Sequence, residues 1–183
     1  ESISNIDIIF QVFSFVTTSG FTTSNYSLWP SFIILLIFLS SFIGACAGSA
    51  GGGMKVIRLT IALKSIKKQL LRVIHPKAEI TIKVNHKKVD DSTVETILSF
   101  IILYIVVFFI SSILIMVSGH DFVTSFSSAA ACINNLGPAL GDAYGNYASL
   151  NSFSKILLSL IMIVGRLEIY TFIILITKYF WKY

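Results

Sequence analysis

Ser40 to Lys55 reads Ser-Ser-Phe-Ile-Gly-Ala-Cys-Ala-Gly-Ser-Ala-Gly-Gly-Gly-Met-Lys, a glycine-rich break set directly after an apolar run. Glycine is the poorest ordinary helix former, costing about 1 kcal/mol per residue against alanine. Backbone released from regular helix at membrane depth survives only where it is buried in protein or lines a water-filled cavity, because lipid cannot satisfy its amides and carbonyls. The break therefore points to a pore or a transport site.

Composition supports the membrane setting. The 183 residues are 55% hydrophobic and 13% charged, with a mean hydropathy of +0.82, far more apolar than a soluble domain of this size requires. Three runs carry that character: Trp29 to about Ala47, Ile97 to Val117, and Ile156 to Ile176. The second and third meet the spanning requirement of about 20 residues, and the first meets it only if the glycine segment continues the crossing. The first is thus expected to be a broken helix.

Charge gives the orientation. Lys55 to Asp91 holds ten of the fourteen Lys and Arg against three acids, net +7, while the rest of the chain is net −2. The positive-inside rule places this segment in the cytoplasm. The first run then enters from outside, the second returns, and the third ends inside with Lys178 and Lys182 as anchors. This topogenic role accounts for the basic run, with anionic lipid contact as an addition; nucleic-acid binding would call for a soluble basic domain. Residues 1–28 carry no initiator Met and no secretory signal, so the chain reads as the C-terminal part of a longer membrane protein.

An internal repeat follows. Ile3 to Val16 is a short, mostly apolar stretch leading into Thr17-Thr18-Ser19-Gly20-Phe21-Thr22-Thr23, and Phe122 to Ile133 leads likewise into Asn134-Asn135-Leu136-Gly137-Pro138. Each stretch is too short to span, and each precedes a spanning run. Short helix, polar turn with a central glycine, long helix is the plan of a re-entrant pore loop. Carbonyls of such a turn can replace water around a dehydrated cation, and glycine permits the positive φ that aims them. Gly20 and Gly137 are the equivalent positions. A pair of ordinary extracellular turns has the same residue preferences; the broken helix and the repetition favour the pore loop.

These motifs resemble a known family. Thr17 to Thr23, Cys46 to Val56, His75-Pro76, Asn134 to Pro138, and Gly165-Arg166-Leu167-Glu168-Ile169 are together similar to the Trk-type potassium uptake proteins of bacteria, relatives of the Ktr and HKT transporters. The resemblance runs nearly end to end, with five motifs in order. It implies an all-α membrane protein of four helix, pore-loop, helix repeats around one pore. Here residues 1–54 would be the pore loop and broken second helix of repeat three, 55–91 a cytoplasmic basic connector, and 92–183 repeat four. It also implies a filter formed by the carbonyls of Thr18, Ser19, Gly20 and Phe21 with those of Asn135, Leu136, Gly137 and Pro138, holding potassium as the transported ion with no cofactor. Ser19 and Ala50 stand where the family commonly has Thr, which removes no carbonyl. The implied setting is the bacterial cytoplasmic membrane, crossed several times. The implied partners are the missing N-terminal repeats, a second copy in a homodimer, a cytoplasmic nucleotide-binding regulatory ring, and lipid.

Arg166 fits this picture from its own chemistry. A charged residue within a spanning run costs about 2.5 to 3.5 kcal/mol on insertion scales and should face a cavity or a partner. Arg166 lies 29 positions after Gly137, and Ser49 lies 29 positions after Gly20, so the guanidinium and the glycine segment sit at similar depth. A guanidinium there can donate to carbonyls that the broken helix leaves unpaired. The resemblance makes Gly48, Gly51, Gly52, Gly53 and Arg166 a gate beneath the filter. Glu168 is expected to partner a basic group rather than to conduct.

Other chemistries fail on spacing. Gly48 to Gly53 imitates a phosphate loop, but Met54 separates the last glycine from Lys55, and Val56 replaces the required Ser or Thr. Cys46, Cys132, His75, His86 and His120 make no metal-ligand pattern. No Ser, His, Asp arrangement for an enzyme can be argued, and the Thr-Val-Gly-Tyr-Gly filter of tetrameric channels is absent. The alternation across Glu79 to Val89 suggests a small hairpin, either a solvated connector or a docking surface for the regulatory ring. The reading is potassium transport through half of a four-repeat pore; the alternative is a non-transporting membrane remnant or accessory subunit.

Overall fold

The computed structural model describes residues 4–44, 48, 51–78, 80–85, 87–177 and 181. Cys46, Ser49, Ala50, Glu79, His86, Lys178 and Lys182, on which parts of the sequence reading fall, lie outside the described residues. Seven helices are present among them: α1 (Asn5–Val16), α2 (Ser31–Ile43), α3 (Val56–Ile74), α4 (Asp91–Val117), α5 (Phe122–Ile133), α6 (Ser152–Arg166) and α7 (Ile169–Ile176). One hairpin joins α3 to α4, with β1 (Lys83–Val84) antiparallel to β2 (Lys87–Lys88) in the register Lys83 to Lys88 and Val84 to Lys87.

The apolar second run becomes α4, 27 residues long. At 1.5 Å per residue this is about 40 Å, enough to cross a bilayer. The first run is broken as its glycines require. The α2 helix stops at Ile43, Gly44 takes φ +70, and the next helix among the described residues starts at Val56. The third run is apolar enough to span, as expected, but is not one continuous helix. Helix ends at Arg166 and restarts at Ile169, bent by 106°. The cause is tertiary contact: Gly165 lies against the Ile133 carbonyl, where a Cβ would come within 2.2 Å, and Glu168 turns to φ +58 and pairs with Lys55 and Arg58. Both inner helices are therefore interrupted.

The core forms around α5. Its residues Ser128 to Ile133 are fully or almost fully buried, and most are small (Ser128, Ala129, Ala130, Ala131), which lets α4 and α6 approach its backbone closely. Edge-to-face rings extend the core to the other loop: Phe15 meets Phe38 at 5.3 Å and Tyr26 at 5.5 Å, and Phe108 meets Phe126 at 4.7 Å and Phe42 at 5.3 Å. By contrast α1 turns Ile6, Ile9 and Phe13 outward, 77%, 57% and 66% exposed. On the basic side a second, smaller cluster of Ile61, Ile82 and Val94 packs the hairpin between α3 and α4. Two clasps fasten it: Lys68 Nζ to Asp91 Oδ1 at 2.7 Å, and Lys64 Nζ donating to the Lys83 carbonyl at 2.6 Å.

The start of α5 is set by Asp121, whose carboxylate accepts from the amides of Val123 and Thr124. The side chain of Thr124, followed by these amides, holds the Asp121 carboxyl below the usual carboxylate range. A depressed acid stabilises the fold above its unfolded pKa, and that contribution disappears as pH falls through the lower folded value. Asp121→Asn retains a capping oxygen but removes the charge. Its unfolding midpoint should therefore fall less than that of the unmodified protein as pH is lowered from neutrality through and below the ordinary Asp pKa of about 3.9, which thermal denaturation in detergent will measure.

Candidate functional site

Two short helices end alike. Residues 5 and 122 begin them, 16 and 133 end them, a constant offset of 117. Each closes on a left-handed turn. Thr18 and Asn135 have φ +54 and +52, and the following amides reach back to the helix, Ser19 N–H to the Ser14 carbonyl at 3.0 Å and Leu136 N–H to the Ala131 carbonyl at 2.8 Å. This is the six-to-one closure of a helix end, made here without glycine at the left-handed position, at a cost of roughly 1–2 kcal/mol each. Two residues later Gly20 and Gly137 have φ +78 and +99. Glycine is required there for conformation.

The loops touch at their centres. A Cβ on Gly20 would stand 2.0 Å from the Leu136 carbonyl oxygen and 3.1 Å from the Pro138 ring. Gly20, Leu136, Gly137 and Pro138 line a cleft of about 360 Å³ that Thr22, Tyr26, Tyr144 and Tyr147 also border. Two tyrosines brace it: Tyr26 Oη donates to the Ala139 carbonyl at 2.6 Å, and Tyr147 Oη to the Gly137 carbonyl at 2.6 Å. From α5, Ser127 Oγ accepts from Leu140 N–H at 2.9 Å and Thr124 Oγ1 from Asp142 N–H at 3.0 Å. The segment that follows Gly137 is thus tied to α5. In the first loop Ser14 Oγ donates to the Phe21 carbonyl at 2.6 Å and Ser19 Oγ to Ser14 Oγ at 3.2 Å, while the Phe21 ring is 72% exposed.

Gly52 packs against the helix ends from which the two turns start, and Gly53 and Met54 pack against the end of α2. Gly52 N–H donates to Thr18 Oγ1 at 3.0 Å, and a Cβ on Gly52 would lie 1.7 Å from the Asn134 carbonyl. Met54 N–H returns to the Phe42 carbonyl at 2.9 Å, and Gly53 packs on the Ser41 carbonyl. Asn134 is fully buried; its amide donates to Ser41 Oγ at 2.9 Å and its oxygen accepts from the Tyr104 hydroxyl. Gly51, Gly53 and Arg166 line a second cleft, about 230 Å³, with Lys55, Arg58, Tyr104 and Glu168. Glu168 Oε1 meets Lys55 Nζ and Oε2 meets Arg58 Nη2, both at 2.7 Å. The Arg58 guanidinium lies 4.2 Å over the Phe100 ring.

All eight sequence-derived loop residues therefore lie in or beside two matched, touching turns. Gly51, Gly52, Gly53 and Arg166 gather at the second cleft or beside it, whereas Gly48 is exposed with open space around it. Glu168 finds the basic partners expected of it. Sequence reasoning missed Tyr26, Tyr104 and Tyr147, and also Gln11 and Ser128, which are buried at the same 117 offset with no hydrogen-bond partner among the described residues. Tyr104 could have been found as the one hydroxyl-bearing ring in the Ile97–Val117 run.

Two interrupted helices packed on two matched turns, with one apolar helix long enough to span a bilayer, are the fold of a helical membrane protein. The family model of TrkH cation transport proteins matches residues 2–183. The Trk system potassium uptake protein TrkH of Halomonas elongata is 41% identical over 174 residues, 95% of this chain and 36% of that protein. TrkG of Escherichia coli K12 is 40% identical over 181 residues, 98% of this chain and 37% of that protein. The crystal structure of the potassium transporter TrkH from Vibrio parahaemolyticus superimposes with a TM-score of 0.87 at 41% identity, covering 95% of this chain and 37% of that one. The chain belongs to the TrkH family, a family of transporters rather than enzymes, and spans little more than a third of these relatives' length.

Contact with the Asn134 and Ile133 carbonyls sets the tolerance of the glycines. Gly52→Ala and Gly165→Ala should each lower stability by about 1–3 kcal/mol through overpacking. Gly48→Ala should stay within about 0.5 kcal/mol. Thermal unfolding of the purified complete transporter carrying each change separates the two outcomes.

Proposed function

We propose that this chain supplies about one and a half to two of the four repeats of a potassium pathway in the bacterial cytoplasmic membrane, its two turns forming half of a carbonyl-lined filter. The observation that carries the reading is the coincidence of Thr18 with Asn135 and Gly20 with Gly137, all at positive φ, in turns whose centres touch. Left-handed residues two apart change the direction of the carbonyls along each turn, and carbonyls aimed at a common point replace the hydration shell of a cation. Tyr147 engages the Gly137 carbonyl, but a carbonyl has two lone pairs, so the hydroxyl can brace it while the second faces the ion. The relatives' names, potassium uptake proteins and a potassium transporter, supply the ion.

Half a filter ring needs the other half. The outward Ile6, Ile9 and Phe13 of α1 offer packing surface for the remaining repeats of the same protein, and this favours the transporter over a non-transporting remnant. A homodimer and a cytoplasmic nucleotide-binding ring complete the proposal, with the basic hairpin between α3 and α4 as the face toward the ring. Below the filter, Gly51 to Gly53 and Arg166 act as the gate: the segment lies across the loop ends, and Arg166 lines the cleft behind it.

Potassium over sodium uptake by the complete protein tests the filter. Gly20→Ser and Gly137→Ser should both reduce discrimination, since each adds a Cβ at positive φ. Gly20→Ser should be the more damaging, because only there does the Cβ meet the opposite loop. Unchanged discrimination in both removes the assignment.

The gate has its own test. Arg166→Ala should raise basal flux per folded molecule, whereas a residue that merely secures packing would lower folded protein with flux per molecule equal or reduced.

A further inference from the structure

The helices α3 and α7 both restart from an unusual residue. Lys55 has φ +66, ψ 131 and Glu168 has φ +58, ψ 126. Neither is glycine, and side chains rarely adopt this conformation, so the surroundings must hold both residues in place. They hold each other. Lys55 Nζ and Glu168 Oε1 are 2.7 Å apart, and the second carboxylate oxygen is taken by Arg58, one turn into α3. The interruptions of the two inner helices are thus matched in backbone and opposite in charge, and they are joined directly to each other.

The position of this clasp gives it leverage. Lys55 follows Gly53 by two residues, and Gly52 donates its amide to Thr18 at the end of the first loop. Arg58 is in turn pinned on the Phe100 ring of α4. Whatever fixes the restart of α3 therefore fixes where the glycine segment leaves the loop ends. Exposed ion pairs contribute little, but these three side chains are 19%, 21% and 39% exposed, both carboxylate oxygens are used, and the cations come from one helix turn.

We propose that Glu168 is a positioning residue of the pathway: by clasping Lys55 and Arg58 it ties the break in one inner helix to the break in the other, and so keeps Gly51–Gly53 pressed on the loop ends. This rests on the pore reading above for its effect on flux, though not for its effect on structure. Neither helix break can then relax alone.

The experiment uses the complete transporter in potassium-loaded liposomes, with amide hydrogen exchange on the same preparations. Glu168→Gln releases both cations at once and should raise basal potassium flux per folded molecule about fivefold or more. Exchange protection at Gly51 to Val56 should fall while that of α4 is kept. Lys55→Gln should act in the same direction, and adding it to Glu168→Gln should produce no further rise, because the shared contact is already lost. Multiplicative effects, or unchanged protection at Gly51 to Val56 in Glu168→Gln, overturn the clasp. If Glu168→Gln fails to accumulate, Lys55→Gln and Arg58→Gln decide by the same two readouts. If the unmodified protein conducts no potassium, the pore reading fails, and hydrogen exchange alone still judges the clasp.

Discussion

Every unusual feature of this chain answers one constraint: backbone that leaves the helix inside a membrane must find partners within the protein. At Gly44, from Gly51 to Lys55, and again between Arg166 and Ile169, the chain leaves regular helix. The described part of the first break recovers hydrogen bonds from neighbours, through Gly52 N–H to Thr18 and Met54 N–H to Phe42. Glycine makes these contacts sterically accessible. Gly52 and Gly165 press on consecutive carbonyls, Asn134 and Ile133, at the end of α5, so both breaks are organised around one helix terminus. That terminus is in turn fixed by Tyr104 and Ser41 through the Asn134 amide.

The two loops show how far backbone geometry can be preserved while side chains diverge. Helix lengths, left-handed turns and closing hydrogen bonds agree position by position. Yet α1 presents Phe10, Val12 and Phe13 where α5 presents Ser127, Ala129 and Ala130. The difference follows the surroundings. The small side chains of α5 admit α4 and α6 on both sides, while the large ones of α1 look outward. What the loops share lies in the turn itself, where conformation depends on glycine and on helix-end hydrogen bonds rather than on packing.

This division explains what could be read from sequence. The glycine segment, the basic connector and the two short helices were legible because each is a local pattern: a breaker cluster, a charge excess, a length too short to span. Even the hairpin was visible from the alternation before Asn85, whose φ of +48 makes the turn. The break after Arg166 was not. Ile156 to Ile176 reads as continuous apolar helix, because Glu168 leaves it only by pairing with Lys55 and Arg58, more than a hundred residues earlier. The tyrosine braces were hidden for the same reason: Tyr26 and Ala139, like Tyr104 and Asn134, are brought together by the fold alone.

Long-range polar contacts thus place the elements that local pattern creates, and their distribution has a mechanical consequence. The α3 helix is held at its start and again along its middle. At its start are Glu168 and the Phe100 ring; further along, Lys64 and Lys68 reach the hairpin and the first residue of α4. Between them Ile61 packs with Ile82 and Val94. A helix so clasped moves as a rigid body rather than by bending, since packed interiors deform little. On the proposed reading, a partner that binds the basic hairpin acts on the far end of a lever whose near end is Lys55. Gly52 and Gly53, which have no side chains, are held in that chain of contacts through their backbone alone.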